Sequence, residues 1–239
     1  MLQDLATVSA AILAGGLGTR LRSVVADRPK VLAEVHGRPF LNYLLDELVK
    51  VGIGSAVLCT GYMGDQVQAE FGPSYRSLKL AYSQESSPLG TAGALRLALP
   101  LLGSDSVLIM NGDSFCDTDF KAFWTWHSAR RAAATLLLAE VSNTARYGRV
   151  LIDATGRVLR FEEKNGDSGP GWINAGIYLL KRQLLETIQA NCPVSLEREI
   201  FPTWIGHGLH GYQCHGRFLD IGIPESFVSA EDFFPKTSK

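Results

Sequence analysis

Gly15-Gly16-Leu17-Gly18-Thr19-Arg20 follows an apolar run over residues 8–14 that stops at the first glycine. A strand that ends in such a turn lets the backbone approach an anion and aim its N–H groups at phosphate oxygens. Arg20 adds a planar fork of donors suited to phosphate. Leu13, Ala14, Gly15, Gly16, Gly18 and Thr19 therefore form the candidate nucleotide loop. Spacing excludes two other phosphate binders: a GxGxxG loop would need glycine where Leu21 stands, and a P-loop would need a lysine this loop lacks. Two acids also end short apolar runs, Asp113 after Asn111-Gly112 and Asp220 after residues 217–219. A carboxylate there can reach a hard cation, although an isolated strand-end aspartate more often caps a turn. Gly90 and Thr91 open a helix whose N–H groups and hydroxyl can meet a nucleotide. Gln84, in the loop before them, is the candidate for the base edge.

The elements that must position these groups are legible from hydrophobic periodicity. Strands are expected over residues 8–14, 56–60, 78–83, 106–111 and 134–141, alternating with helices over 40–49, 65–71, 91–102 and 119–131. Gly52 marks the stop of the first helix. Such alternation implies right-handed crossovers and a mostly parallel sheet with helices on both faces. After residue 145 the pattern changes. Residues 149–152 and 157–161 flank Asp153-Ala154-Thr155-Gly156 as a hairpin, 172–180 reads as a strand and 181–190 as a helix. Ser195 caps a further helix, and residues 195–199 are read as mainly structural. The expectation is one domain over 1–239 with one continuous sheet. Its nucleotide part covers about residues 8–140 and its second part about 141–239.

Composition narrows the class. Hydrophobic residues make up 46% and charged residues 20%, enough for a core and too little charge for disorder. Lys plus Arg total 23 against 24 acids, which argues against a nucleic-acid partner. The longest apolar stretches, such as 132–139, fall far short of a membrane span. The start has no basic segment before its apolar run, so no signal peptide is expected. Cys59, Cys116, Cys192 and Cys214 are far apart without a metal-knuckle pattern and read as scattered thiols of a reducing, cytoplasmic setting. A homodimer is left open.

Seven motifs occur in order: GGLGTRL at 15–21, PK at 29–30, LGTAGAL at 89–95, NGD at 111–113, FEEK at 161–164, NAGIY at 174–178 and DIGIP at 220–224. Over most of the chain, to about Phe227, this series resembles the sugar-1-phosphate nucleotidyltransferases, which make nucleotide sugars. The resemblance implies a single-domain, Rossmann-like three-layer α/β fold with a mixed, mostly parallel central sheet. It also implies a reaction, in which a sugar-1-phosphate oxygen attacks the α-phosphorus of a nucleoside triphosphate and pyrophosphate leaves. By the same resemblance Asp113 and Asp220 hold Mg²⁺, and Arg20 and Lys30 hold the β- and γ-phosphates. Lys164 neutralises the sugar phosphate, Glu162 takes sugar hydroxyls, and Asn174 and Gly176 contact the sugar, the glycine giving room for its ring. Two departures stand out: residues 29–35 (PKVLAEV) lack the family's second proline, and Asn165 replaces the proline that commonly follows the FEEK lysine.

That chemistry suits the residue set. Two polyanions must meet, and each like-charge pair at 4 Å costs about 4 kcal/mol at an effective dielectric near 20. Cations and a metal matter more than a general base, because a phosphate monoester is already a nucleophile at neutral pH. Within the family, residues 20–25, 37–41 and 195–202 look most like bacterial guanylyltransferases acting on D-glycero-α-D-manno-heptose 1-phosphate, with GTP as co-substrate. Mannose-1-phosphate guanylyltransferases and uridylyl- or thymidylyltransferases are the neighbouring alternatives. A catalytically silent nucleotide-sugar sensor is the alternative of another class. Such a protein has no need of Arg20, Lys30, Asp113, Lys164 and Asp220 together.

Overall fold

The apolar run Ser9–Leu13 has no polar face, and its alternate residues enter different cores. Ala10 and Ile12 join one hydrophobic layer and Ala11 the other, each fully buried. A strand covered on both sides in this way is the signature of a central parallel strand. The computed structural model describes residues 4–16, 18–21, 25, 27–162 and 169–235. Its strands are β1 (Ser9–Leu13), β2 (Glu34–Val35), β3 (Arg38–Pro39), β4 (Ser55–Thr60), β5 (Ser74–Tyr75), β6 (Leu78–Gln84) and β7 (Ser106–Asn111). They continue as β8 (Ser114–Cys116), β9 (Ala134–Val141), β10 (Arg149–Ile152), β11 (Val158–Glu162), β12 (Gly171–Lys181), β13 (Leu209–Cys214) and β14 (Phe218–Asp220). The first five helices are α1 (Phe40–Lys50), α2 (Gly64–Phe71), α3 (Gly90–Ala98), α4 (Phe120–Ala129) and α5 (Arg182–Glu186).

Eight strands form one sheet in the order β13-β9-β12-β7-β1-β4-β6-β5. β7, β1, β4 and β6 run parallel, as do β9 and β13, while β12 is antiparallel to both its neighbours. The expected single mixed sheet is thus present, and both parts of the chain contribute to it. From β1 the chain moves to β4 and β6 on one side, then returns to β7 on the other. The carboxyl ends of β1 and β7 therefore face a topological switch point, the place where open α/β sheets bind ligands.

Helices cover both faces. α1 buries Leu41, Leu44, Leu45 and Leu48 completely in the layer that holds Ile12, each such burial stabilising by roughly 1.5–3 kcal/mol. It ends at Gly52 (φ +84°), where the Ile53 amide bonds the Leu48 carbonyl at 3.0 Å, a Schellman closure. α3 buries Ala92, Leu95 and Ala98 in the opposite layer. The helix expected over 181–190 is shorter, Arg182–Glu186. The Ile188 amide bonds Leu185 rather than Leu184, whose carbonyl instead accepts the Thr187 hydroxyl at 2.7 Å.

Two smaller pairings shape the site. β14 lies antiparallel to β8 with Asp220 opposite Ser114, and β10–β11 is the expected hairpin. Register in β12 breaks between Asn174 and Tyr178, a bulge of the kind that re-aims side chains beside sites. The cysteines are less scattered than the sequence suggests, since Cys116 and Cys214 bring their sulfurs within 3.9 Å as free thiols. No helix among the described residues is long and apolar enough to cross a membrane.

One buried group makes stability depend on pH. His127, on α4, is 3% exposed and shares a 2.7 Å hydrogen bond with the Thr135 hydroxyl. Burial pushes its pKa down to about 4. The folded state thus holds this ring neutral where the unfolded chain would protonate it. Its contribution is present above pH 6.5 and lost as pH falls from there to about 4, a total of ~3 kcal/mol. Urea midpoints should fall over this window, and His127→Gln should flatten the fall; an equally steep profile in the variant would disprove the assignment.

Candidate active site

The carboxyl ends of β1, β4, β6 and β7 enclose a cleft of about 390 Å³. Of the sequence candidates, Leu13, Ala14, Gly15, Gly16, Lys30, Gly90, Thr91 and Asp113 line it. The exposed Thr19 and Arg20 stand outside that lining, as do Gly18, Glu162, Asn174, Gly176 and Asp220. Lys164 lies outside the described residues.

At one end of the cleft the two acids come together. The Ile221 amide donates to the Asp113 carbonyl at 2.9 Å, which places Asp220 beside Asp113. Asp220 accepts the Gly222 amide at 2.6 Å. Its carboxyl is held above the usual aspartate range, first by burial and next by the Asp113 carboxylate. Lys30 Nζ sits 2.6 Å from Asp113 Oδ2 and is only 11% exposed. Local sequence does not show this contact, because the PK pair and the NGD motif meet only through the fold. Two crowded hard-oxygen donors with one lysine as counter-cation fit a divalent ion that takes its remaining ligands from phosphates. Among the described residues no third acid, histidine or cysteine completes a protein-only cage.

At the other end stands a residue the sequence reading missed. The base-edge candidate Gln84 is exposed and outside the cleft, while its neighbour Glu85 points in. Strand alternation decides this: Gln84 pairs with Thr60, and the Glu85 amide bonds the Thr60 carbonyl at 2.9 Å. Glu85 Oε2 accepts the Leu89 amide at 2.8 Å. Oε1 lies where a Cβ on Gly15 would come within 3.0 Å, so the glycine loop makes room for this carboxylate. Burial raises the Glu85 pKa, partly offset by the Leu89 amide.

The sugar-side candidates are held by contacts within the chain. Gly176 has φ +74°, and a Cβ there would fall 2.6 Å from Asn111 Nδ2. Its missing side chain makes room for the Asn111 amide. Asn111 lines the cleft, and its buried Oδ1 has no hydrogen-bond partner, which leaves an acceptor for a ligand N–H or O–H. Asn174 bonds inward to Tyr178 and Gly176. Glu162 pairs with Arg160 at 2.6 Å. The Thr91 hydroxyl, expected to meet nucleotide, donates instead to Glu197 at 2.7 Å.

Chemically, the cleft offers backbone N–H groups, a lysine and an acid at one end, with Asp220 beside that acid just outside the lining, and a carboxylate at the other. The chain is similar to known proteins over most of its length. The D-glycero-alpha-D-manno-heptose 1-phosphate guanylyltransferase of Aneurinibacillus thermoaerophilus is 35% identical over 225 residues, covering 94% of this chain and 97% of that protein. The mannose-1-phosphate guanylyltransferase of Mycobacterium tuberculosis is 36% identical over 92% of this chain, which spans 63% of that longer protein. The crystal structure of HddC from Yersinia pseudotuberculosis complexed with GMP-PN superposes with a TM-score of 0.83 at 31% identity, covering 95% of this chain and all of that one. A model of the nucleotidyl transferase family matches residues 9–237. Almost the whole chain thus carries the family's pattern, and it belongs to the nucleotidyl transferase family.

Proposed function

We propose that this chain transfers GMP from GTP to D-glycero-α-D-manno-heptose 1-phosphate, releasing pyrophosphate and GDP-heptose for bacterial surface polysaccharide, in the cytoplasm. The observation that carries the choice of base is Glu85. β6 lies three strand spacings from β7, roughly 14 Å, a separation suited to a base at Glu85 and an α-phosphate at Asp113. An ionised carboxylate only accepts hydrogen bonds. Guanine presents two adjacent donors, N1–H and N2–H, whereas uracil, thymine, cytosine and adenine set an acceptor beside their donor. Heptose as the sugar is supported by the Aneurinibacillus relative, matched over nearly all of both chains.

In this reading the Gly15 and Gly16 amides and Lys30 hold the triphosphate, with Arg20 on the β- and γ-phosphates. Asp113 and Asp220 would hold Mg²⁺, which when bound supplies positive charge at the α-phosphate. The sugar-phosphate oxygen forms a bond to the α-phosphorus as the α–β bridge breaks, and pyrophosphate carries away the electron pair. Lys164 is assigned to the sugar phosphate, and the β12 bulge at Asn174 and Gly176 to the sugar. No side chain has to remove a proton, because the attacking monoester is already anionic.

The test is pyrophosphate release with Mg²⁺, crossing GTP, UTP, dTTP, ATP and CTP with heptose-, mannose- and glucose-1-phosphate. Release confined to GTP and the heptose phosphate is expected. Release with GTP and mannose 1-phosphate would keep the guanylyl reading and overturn the sugar; no release with nucleotide still bound would identify a silent sensor. Glu85→Gln swaps one acceptor oxygen for a donor facing guanine. It should lower kcat/KM for GTP by about tenfold to a hundredfold while Tm holds; unchanged preference for GTP would show that the base is read elsewhere.

A further inference from the structure

Thr91 borders the nucleotide wall of the cleft, yet its hydroxyl is fully engaged behind that wall. Oγ1 donates to Glu197 Oε2 at 2.7 Å and accepts from the Leu196 amide at 2.8 Å. The same carboxylate accepts the Ser195 hydroxyl at 3.0 Å and, on Oε1, the Tyr178 phenol at 3.1 Å. Tyr178 is fully buried and accepts in turn from Asn174 Nδ2 at 3.0 Å. Asn174 Oδ1 holds the Gly176 amide at 2.9 Å, at the β12 bulge against Asn111. A continuous chain of hydrogen bonds therefore runs from the nucleotide wall to the bulge.

Glu197 is itself firmly held. It lies in a π-helical turn, Leu196–Ile200, a rare element that recurs at functional sites. Ser195 caps that turn by accepting the Arg198 amide at 3.2 Å, and Glu199 answers by accepting the Ser195 amide at 2.8 Å. This reciprocal cap is the structural role read from the sequence. It leaves Glu197 free to face inward, towards three neutral hydroxyls. An acceptor-only carboxylate compels all three to point their hydrogens at it, which sets their direction. A glutamine would present one acceptor and an N–H₂ group to the same three hydroxyls, and that order would be lost.

We propose that Glu197 is a positioning residue that locks the nucleotide wall, through Thr91, to the sugar wall, through Tyr178 and Asn174. It touches neither substrate and acts by keeping the two walls in one relative position. The assignment of the walls rests on the proposed function.

The test compares Glu197→Gln, Thr91→Val and Tyr178→Phe, varying each substrate in turn. Thr91→Val should raise KM for the nucleotide alone, and Tyr178→Phe KM for the sugar phosphate alone. Glu197→Gln should raise both and lower kcat/KM about tenfold or more. The double variant Glu197→Gln/Thr91→Val should bind nucleotide no worse than Glu197→Gln, because the two share one interaction. Lower Tm with both KM values unchanged would make Glu197 merely structural and overturn the proposal. If the unaltered protein turns over no substrate pair, the proposed function has failed, and Glu197 is judged by calorimetric GTP affinity instead. Equal weakening in Glu197→Gln and Thr91→Val would support the nucleotide arm; unchanged affinity in Glu197→Gln would overturn the proposal.

Discussion

Replacing Asp113 by asparagine is expected to lower pyrophosphate release by about 10³-fold while leaving the fold intact. The size follows from the several kcal/mol that a metal contributes against phosphate charge, at 1.36 kcal/mol per tenfold. The fold should survive because asparagine keeps the shape and Asp113 is already 37% exposed. The change also relieves the Asp113 repulsion that, after burial, helps hold the Asp220 carboxyl above its usual range. Lys30 loses its partner but retains Asp220 as a nearby anion. Steady-state rates at saturating GTP, with thermal unfolding as the control for folding, check this result. Near-normal turnover in a folded Asp113→Asn protein would remove the metal assignment from this acid.

The second large effect is expected at Lys30. Its ammonium neutralises Asp113 at 2.6 Å, but a cation bound by the two acids would compete for the same carboxylate oxygen. Loading the site should therefore free the lysine for the phosphates gathering beside it. Lys30→Ala should lower kcat by about 10²-fold, the scale of losing one preorganised charge contact. The same variant should need less Mg²⁺ for half-maximal rate, since nothing competes for Asp113. Lys30→Arg should recover part of kcat. A magnesium titration at fixed GTP separates the two effects. Reduced kcat together with a higher magnesium requirement would mean that Lys30 supports the acid rather than competing for it.

Much of the fold was readable because it rests on short-range signals. The apolar run of β1, the spacing of α1 and its stop at Gly52 depend on near neighbours, and the structure reproduces them. Where a side chain's task depends on the opposite strand, local reading failed. Gln84 and Glu85 are adjacent, and only the pairing of β6 with β4 decides which faces the cleft. Residues 195–199 read as a helix cap, which they are, but the partners of Glu197 lie on α3 and β12. Gly176 was read for the room it gives a ligand, and only the fold shows that Asn111 on β7 lies against it.

By itself, the sequence determined the class of chemistry through seven ordered motifs that resemble one family, and a glycine loop after a buried strand, strand-end acids and a parallel α/β order agree with it, all written in residue types and spacings a few positions long. Only the tertiary structure decided that Asp113 meets Asp220 and Lys30, that Glu85 faces inward, and that Glu197 ties Thr91 to Tyr178. Those contacts join segments distant in the chain. Their geometry is set by strand register and by which core each face must enter, and neither is encoded in any one segment.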